Sequence, residues 1–288
     1  MNTAMRHVLA GFVTLPAMSF ATEQHIVLPA AFANAEGPIN NSGPIGASVA
    51  TMQTMYSQQE MESVPIGSRI TGFQTRQDNN FGFTPWPRVT FAITDYRIYM
   101  GTSTRTPATF SDTFASNIVD KQLVKSGELA LSMNAYPGAF PIGGPNPEGW
   151  GPVIVFDEPY TYPGGPLVIE WRSSGAGSNG GTSGDAAHNS SAAAGGGNST
   201  SAEATTSNGG STAIVRLTYV TAACPADLNG DAQVDDADFV LFVGAYNILD
   251  CTDPAMPAGC APDFNGDDLV DDADFVVFVA AYNELVCP

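Results

Sequence analysis

The amino-acid sequence predicts a mainly β protein, in which a β-sandwich or jelly-roll-like domain precedes a small α-helical domain. Short β-rich runs alternate with turn residues between residues 24 and 220, without a long helical pattern. Gly (30) and Pro (21) are frequent, as is typical of short strands joined by turns. Residues 224–288 hold 14 acidic residues, no Lys or Arg and all four cysteines, so a second domain begins near residue 222.

The net charge of −19 argues against two classes of partner. The chain has 10 Lys and Arg against 29 Asp and Glu. Nucleic-acid phosphates are bound by Lys and Arg that displace counterions, and anionic lipid attracts the same residues. We therefore expect no nucleic-acid partner. The apolar runs are also too short to predict a membrane span.

Residues 1–21 have the three-part pattern of a secretory signal peptide. Arg6 lies in a segment without acidic residues, Val8–Phe20 is apolar, and small residues precede a cleavage site after Ala21. A buried first helix is the alternative. The pattern predicts a mature chain that begins at Thr22 and is secreted, to the extracellular space or the cell surface, where disulfides persist.

Residues 22–220 are predicted to form the β-sandwich domain. Within it, 28 of the 40 residues in 173–212 are Gly, Ser or Ala, which predicts a long flexible loop. The candidate strands are His25–Leu28, Ala50–Tyr56, Arg69–Thr75, Arg88–Met100, Leu123–Ser132, Val153–Phe156, Leu167–Arg172 and Ala213–Val220.

This domain contains no complete catalytic motif. The mature chain keeps His25 and His188, and neither is well placed as a general base. If the domain is an enzyme, a glycoside hydrolase is the class we expect, because that chemistry needs only a pair of carboxylates. The candidates are Glu128, Asp157, Glu158 and Glu170.

Aromatic residues could instead bind carbohydrate by stacking. Trp86 and Trp150 lie in segments rich in Pro and Gly, where exposure is expected. Trp171 alternates with apolar residues and is expected to point inward. Tyr160 and Tyr162 complete the set, although large aromatics in a sandwich are more often core residues.

The C-terminal 65 residues contain an internal repeat. Residues 224–251 read CPADLNGDAQVDDADFVLFVGAYNILDC, and residues 260–287 read CAPDFNGDDLVDDADFVVFVAAYNELVC. The two segments are identical at 19 of 28 positions, with an offset of 36 residues.

Each repeat carries oxygen-bearing side chains at the spacing of a twelve-residue calcium loop. Ca²⁺ prefers hard oxygen ligands, with side chains at positions 1, 3, 5, 9 and 12 and a backbone carbonyl at position 7. Two such loops in register predict two bound Ca²⁺ ions. The predicted ligands are Asp227, Asn229, Asp231, Gln233, Asp235 and Asp238 in the first loop, and Asp263, Asn265, Asp267, Leu269, Asp271 and Asp274 in the second.

The loops depart from the usual pattern at two positions. Position 6, which favours Gly in a left-handed turn, is Ala232 in the first loop and Asp268 in the second. Asp tolerates that conformation better than Ala, so the first site is predicted to be the weaker. Position 12 is Asp, one methylene shorter than Glu. Val234 and Val270 at position 8 can pair the loops as a short β-bridge.

A single helix is predicted after each loop, and none before it. An aromatic stripe at helical spacing marks each helix, and such a stripe most simply faces the core. The stripes are Phe239, Phe242, Val243 and Tyr246, and Phe275, Phe278, Val279 and Tyr282.

A duplicated Asp-x-Asn-Gly-Asp loop followed by one helix resembles a type I dockerin over residues 224–288. The resemblance implies one Ca²⁺ per repeat, pseudo-twofold packing of the repeats, and docking onto a cohesin domain. Family recognition centres on loop positions 10 and 11, here Asp236-Ala237 and Asp272-Ala273, where a hydroxyl pair is common in the family. Because the two pairs are identical, either repeat could present the same face.

The packing that the resemblance implies also bears on the cysteines, for which three connectivities are possible. Antiparallel repeats would bring Cys251 to Cys260 and Cys224 to Cys287, and we favour these pairs. A 224–251 bridge would have to span a loop and a helix of about 20 Å. A Zn²⁺ site is the other interpretation, but the spacings do not suit it.

The N-terminal domain is similar to a group of exported bacterial β-sandwich proteins of unassigned function, common in planctomycetes. The similar segments are IVLPAAFANAEG, SRITGFQTRQDN, YMGTSTRTPATFSDTFASNI and PLVIEWRSSG.

Together these observations predict a secreted, non-catalytic protein. Its dockerin-like module would bind two Ca²⁺ ions and attach it to a cohesin-like or other extracellular partner. The alternative is a carbohydrate-binding or polysaccharide-degrading component that the dockerin carries.

Overall fold

The chain divides into a larger unit, Thr22–Ala222, and a smaller unit, Ala223–Pro288. The predicted signal peptide lies outside the part of the chain that the structure describes. The structure is a computed structural model, and it describes residues 23–41, 44–46, 48–78, 84–138, 147, 149–177, 184–221, 225–229, 233–257 and 259–284.

The larger unit is built from β-strands joined by turns and short 3-10 helices. The strands are β1 (Glu23–Leu28), β2 (Ile39–Asn41), β3 (Ala50–Tyr56), β4 (Arg69–Gln74), β5 (Phe91–Ile93), β6 (Tyr96–Thr102), β7 (Val119–Lys125), β8 (Leu129–Leu131), β9 (Ile154–Thr161), β10 (Leu167–Ser173), β11 (Gly184–Ala187), β12 (Ala194–Ser199), β13 (Thr212–Ala213) and β14 (Val215–Val220). The 3-10 helices are Ala30–Phe32, Gln59–Met61, Pro107–Thr109 and Phe114–Ser116.

Two antiparallel sheets form the body of this unit. One has the strand order β1-β14-β4-β9, and the other has the order β12-β3-β10-β6-β7. Two smaller sheets have the strand orders β13-β11-β2 and β5-β8. The predicted mainly β class is therefore confirmed.

The core lies between the two larger sheets. Trp171 on β10 alternates with Ile169 and Leu167, and all three are buried, so its predicted inward direction is confirmed. Its ring lies 5.7 Å from that of Phe73 on β4 in the opposite sheet. Buried residues of both sheets belong to one apolar cluster, as in a sandwich.

The expectation of one flexible loop over 173–212 is wrong, because β11, β12 and β13 lie in this segment. Its small residues allow backbones to approach closely. A Cβ on Gly196 of β12 would lie 2.3 Å from the Ser211 carbonyl oxygen, and one on Gly197 would lie 2.7 Å from Ser207. The glycines therefore serve strand packing as well as turns.

The candidate strand Arg88–Met100 is two strands, β5 and β6, rather than one. It bends at residues 94–95, and β5 pairs with β8 whereas β6 pairs with β10 and β7. Arg97 holds the bend, because its Nε and one Nη each donate to Asp95 at 3.0 Å.

The smaller unit contains two helices, α1 (Asp236–Tyr246) and α2 (Asp272–Glu284). Phe242 and Phe278 stack at 5.0 Å and are buried, together with Val234 and Val270. Only part of each aromatic stripe lies in the core, because Phe239 in α1 and Phe275 in α2 are each 39% exposed.

The Cys251–Cys260 disulfide is present, with a Cα–Cα distance of 5.5 Å, so this predicted pair is confirmed. The predicted pair 224–287 falls outside the described residues.

Candidate metal centre

The second loop, residues 263–274, folds around the carboxylate of Asp263 at position 1. Its Oδ1 accepts hydrogen bonds from the backbone N–H groups of Gly266 (2.8 Å) and Asp267 (3.2 Å). Its Oδ2 accepts one from the N–H of Asp268 at 2.9 Å. A carboxylate that draws three successive N–H groups inward curls the backbone into a compact ring.

Two further side chains continue this ring. The Asn265 oxygen accepts from the N–H of Asp267 at 2.9 Å, and Asp267 Oδ1 accepts from the N–H of Leu269 at 3.0 Å. Asn265 Nδ2 also donates to Asp267 Oδ2 at 2.9 Å. The oxygens at positions 1, 3 and 5 are thus all held along the same stretch of turning backbone.

The last position of each predicted loop is a buried carboxylate at the start of the helix that follows. Asp274 accepts from the N–H groups of Phe264 (2.7 Å), Asn265 (3.2 Å) and Asp271 (3.0 Å). Asp238 makes the same three bonds in the first loop, at 2.8, 3.0 and 3.0 Å. Both side chains are fully buried. Their hydrogen bonds join the first residues of each loop to the start of the helix and so close the loop.

Position 9 caps each helix. Asp235 accepts from the N–H of Ala237, and Asp271 accepts from the N–H of Ala273, both at 2.8 Å. These bonds satisfy donors that the first turn of a helix leaves unpaired. The loop and its helix are therefore a single hydrogen-bonded unit.

The backbone of the second loop makes a left-handed turn at its sixth position. Asp268 at position 6 has φ 68°, the left-handed region that Asp tolerates. The N–H of Val270 donates to Leu249 at 2.8 Å, and the Asp268 carbonyl accepts from Cys251 at 3.1 Å. These two bonds join the second loop to residues 249–251, after the end of α1.

The expected β-bridge between Val234 and Val270 is wrong. The bridge in the described part of this unit joins Asp250 to Leu269 instead, while both valines are fully buried in the apolar core. The backbone N–H of Val270 donates to the Leu249 carbonyl instead, so it is not available to pair with Val234.

The first loop is described in part. Asp227, Asn229 and Gln233 all take part in polar interactions, and Asp235 and Asp238 adopt the arrangement described above. Asp231 lies outside the described residues.

A closer group of carboxylates lies in the larger unit and was missed by sequence reasoning. Glu36, Asp78 and Asp185 each bring one oxygen within 4.8 Å of the others, and among the described residues no other three His, Cys, Asp or Glu side chains approach so closely. The loop carboxylates are held farther apart, each by the N–H groups of its own backbone. The signal for the missed group was the polar run at residues 74–78, directly after an apolar strand.

Arg76 supplies the positive charge of this group. Its Nε donates to Asp185 Oδ2 at 2.6 Å, with both side chains fully buried. Its Nη2 donates to the carbonyls of Ala35 (2.5 Å) and Phe32 (3.1 Å), and Gly37 N–H donates to Asp185 Oδ1 at 2.8 Å. The group thus ties the segment after β1 to β11 and to the end of β4.

Burial raises the pKa of Asp185 to about 6, because removing the carboxylate from water outweighs the opposing attraction of Arg76. Repulsion from Glu36 raises this pKa further.

The carboxylates considered for glycoside hydrolysis are held in separate networks. Glu170 is buried and accepts from Lys121 (2.6 Å), Arg172 (2.7 Å) and Gln53 (3.0 Å). Asp157 is exposed and accepts from Ser126 N–H at 2.7 Å, which lowers the pKa of Asp157. Glu128 and Glu158 are also exposed.

The aromatic residues considered for sugar stacking contribute to the core. Trp86 is 9% exposed and packs on Tyr136 at 5.6 Å, so the expectation that it is exposed is wrong. Trp150 is half-buried, with the Arg76 guanidinium 5.0 Å from its ring centroid. Tyr160 and Tyr162 are buried.

None of the helices within the described residues combines the length and the apolar composition that crossing a bilayer requires. Comparisons of the chain with protein-family models, with curated proteins and with solved structures found no match. The resemblance to dockerins therefore depends on the residues of the repeat themselves.

Proposed function

We propose that the smaller unit binds two Ca²⁺ ions and attaches the secreted protein to a cohesin-type or other extracellular partner. The observation that carries this proposal is the hydrogen-bonded ring of loop 263–274, in which the oxygens of positions 1, 3, 5 and 12 are all held by the loop's own backbone. The identical bonds of Asp238 in the first loop support a second site of the same kind.

The donor set suits Ca²⁺. It consists of carboxylate, amide and carbonyl oxygens, which hard cations prefer, with no Cys or His inside either loop. In the second loop, Asp263, Asn265, Asp267, the Leu269 carbonyl and Asp274 would hold the ion, with Asp271 acting through water. Bound Ca²⁺ would neutralise carboxylates that no Lys or Arg of this unit can offset.

An apolar surface on the two helices supports attachment to another protein. Val240 and Val276, at equivalent positions of the repeats, are 68% and 69% exposed. Leu241 and Val277 beside them are also exposed. Exposed apolar patches of this kind are typical of interaction sites, and the repeat would offer two copies of the same surface.

Calorimetric titration of the full-length mature protein with CaCl₂ tests the metal sites. We expect two ions per chain in the wild type and one in both Asp238→Ala and Asp274→Ala, because each substitution removes the closing carboxylate of one loop. Asp250→Ala, which removes an exposed acidic residue outside the loops, is the matched control and should keep two ions. Absence of calcium binding at millimolar concentration, in oxidised and reduced protein alike, would contradict the proposal.

Capture on immobilised cohesin domains, with CaCl₂ or with chelator, tests the partner. We expect retention in calcium only, and weaker retention of Val240→Asp/Val276→Asp. Calcium binding without retention by any cohesin would leave the metal sites standing and overturn the cohesin-type partner.

A further inference from the structure

Two hydrogen bonds link the repeats of the smaller unit reciprocally. The Tyr246 hydroxyl at the end of α1 donates to Asp272 Oδ1 at the start of α2, at 2.6 Å. The Tyr282 hydroxyl in the last turns of α2 donates to Asp236 Oδ1 at the start of α1, at 2.5 Å. The 36-residue offset relates Tyr246 to Tyr282 and Asp236 to Asp272, so the two bonds are equivalent under the internal symmetry.

Both acceptors lie between functional positions of the predicted calcium loops. Asp272 at position 10 follows Asp271, which caps α2, and precedes Asp274, which closes the loop. Asp236 stands in the same relation to Asp235 and Asp238 in the first repeat. Each bond therefore joins the end of one helix to the calcium loop of the other repeat.

Ring packing holds the tyrosine hydroxyls in place. The Tyr282 ring lies 5.9 Å from Phe278 and 6.3 Å from Phe239, which is a residue of the other helix. The Tyr246 ring lies 6.0 Å from Phe242. Because these rings are already fixed by the core, forming the hydroxyl bonds costs little further side-chain entropy.

We infer that these two latches, Tyr246–Asp272 and Tyr282–Asp236, couple the calcium loops so that an ion bound in one favours binding in the other. This inference rests on the proposed calcium function. It makes Asp236 and Asp272 positioning residues, whereas the dockerin resemblance implied that position 10 meets the partner.

The coupling follows from the connectivity of the latches. An ion in the second loop orders the start of α2 and with it Asp272, which holds the end of α1 through Tyr246. The other end of α1 carries Asp236 and Asp238, so the first loop is ordered through a rigid helix. The same path runs in reverse from the first loop, as thermodynamic coupling requires.

Titration of the full-length protein and its Tyr246→Phe/Tyr282→Phe variant with CaCl₂ tests this inference. Phe keeps the ring and removes only the hydroxyl, so the variant should still bind two ions. We expect a Hill coefficient above 1 in the wild type that falls to about 1 in the variant, with the second ion bound about fivefold to 150-fold more weakly, the range that two net hydrogen bonds support. Thr252→Val removes a hydroxyl that bonds only to neighbouring Asp250, and it is the matched control.

Two further variants separate positioning from partner contact. Asp236→Asn/Asp272→Asn keeps an acceptor oxygen and should retain part of the cooperativity, whereas Asp236→Ala/Asp272→Ala should lose it. At saturating calcium, the alanine variant should still bind an immobilised cohesin that retains the wild type. Loss of that binding with intact cooperativity would overturn the inference.

Failure of the inference differs from failure of the proposed function. If no variant binds calcium, the proposed function fails and the inference fails with it. If two ions bind and the Hill coefficient is the same with and without the tyrosine hydroxyls, only the inference is overturned.

Discussion

Single residues decide how buried charge is tolerated in the larger unit. Arg76 and Asp185 are fully buried as a pair, with Asp78 and Glu36 beside them. A buried ion pair contributes little net stability, but removing one partner is strongly destabilising because it leaves the other charge buried without a partner. Burial raises the pKa of Asp185 to about 6, so its charge changes at mild pH.

We predict that the larger unit becomes less stable as pH rises from 4 to 6. Below pH 3.8 Asp185 is protonated in both the folded and the unfolded chain, and as pH rises the unfolded chain ionises first. Urea unfolding followed by Trp fluorescence measures this unit alone, because Trp86, Trp150 and Trp171 all lie in it. Asp185→Asn should flatten the dependence.

Asp157→Asn is the matched control for this pH prediction. The pKa of Asp157 is lowered, so its contribution changes only below pH 4. An identical pH slope in wild type and Asp185→Asn would contradict the prediction.

Glycine has opposite effects in a strand and in a helix of this chain. Gly196 in β12 faces the Ser211 carbonyl so closely that a Cβ would lie 2.3 Å away. Gly244 lies in the interior of α1, where a Cβ would meet nothing within 4 Å. The equivalent residue of the second repeat is Ala280. Composition alone treats the two glycines alike, although only the strand requires one.

Alanine substitutions test this difference between the elements. Gly196→Ala should destabilise the larger unit by about 1–3 kcal/mol, since backbone must move to admit the methyl group. Gly244→Ala should stabilise the smaller unit by about 1 kcal/mol through helix propensity. Urea unfolding measures both, by Trp fluorescence for the first and by helical circular dichroism for the second. Stabilisation by Gly196→Ala would show that β12 is not held against residue 211.

The whole molecule combines two acidic units that differ in how far basic residues balance their carboxylates. Residues 22–223 carry 15 acidic and 9 basic residues, which pair in networks such as that of Glu170. Residues 224–288 have 14 acidic residues and no basic ones. Their repulsion disfavours the compact state, so a cation that binds only the folded loops would contribute its binding energy to folding.

We predict that chelation destabilises the smaller unit alone. At 100 times the dissociation constant, each ion stabilises the folded state by about 2.7 kcal/mol, so removing both should lower the melting temperature by about 20 °C or more. Calorimetry should show this shift in one transition, while the transition reported by Trp fluorescence stays unchanged. The disulfide restricts the unfolded chain and can reduce the shift, so oxidised and reduced samples are compared. Equal shifts in both transitions would contradict the prediction.

Features that depend on residues close together in the chain could be predicted from the sequence. Strand alternation placed Trp171 in the core, the repeat located both helices, and the favoured pairing of Cys251 with Cys260 was correct. The loop spacing also predicted which oxygens lie along the turning backbone, because Asx-type hydrogen bonds span only a few residues.

Contacts that join distant segments could not be predicted and are seen only in the folded chain. Asp185 meets Arg76 across 109 residues, and Tyr282 meets Asp236 across 46, so no local period could reveal either contact. The strands within 173–212 were not predicted because Gly and Ala show no alternation of apolar and polar residues. Glycine is required there because the backbones of neighbouring segments approach closely. Trp86 was wrongly expected to be exposed because its partner Tyr136 is distant in the sequence, so the neighbouring Pro and Gly residues gave no sign of the contact.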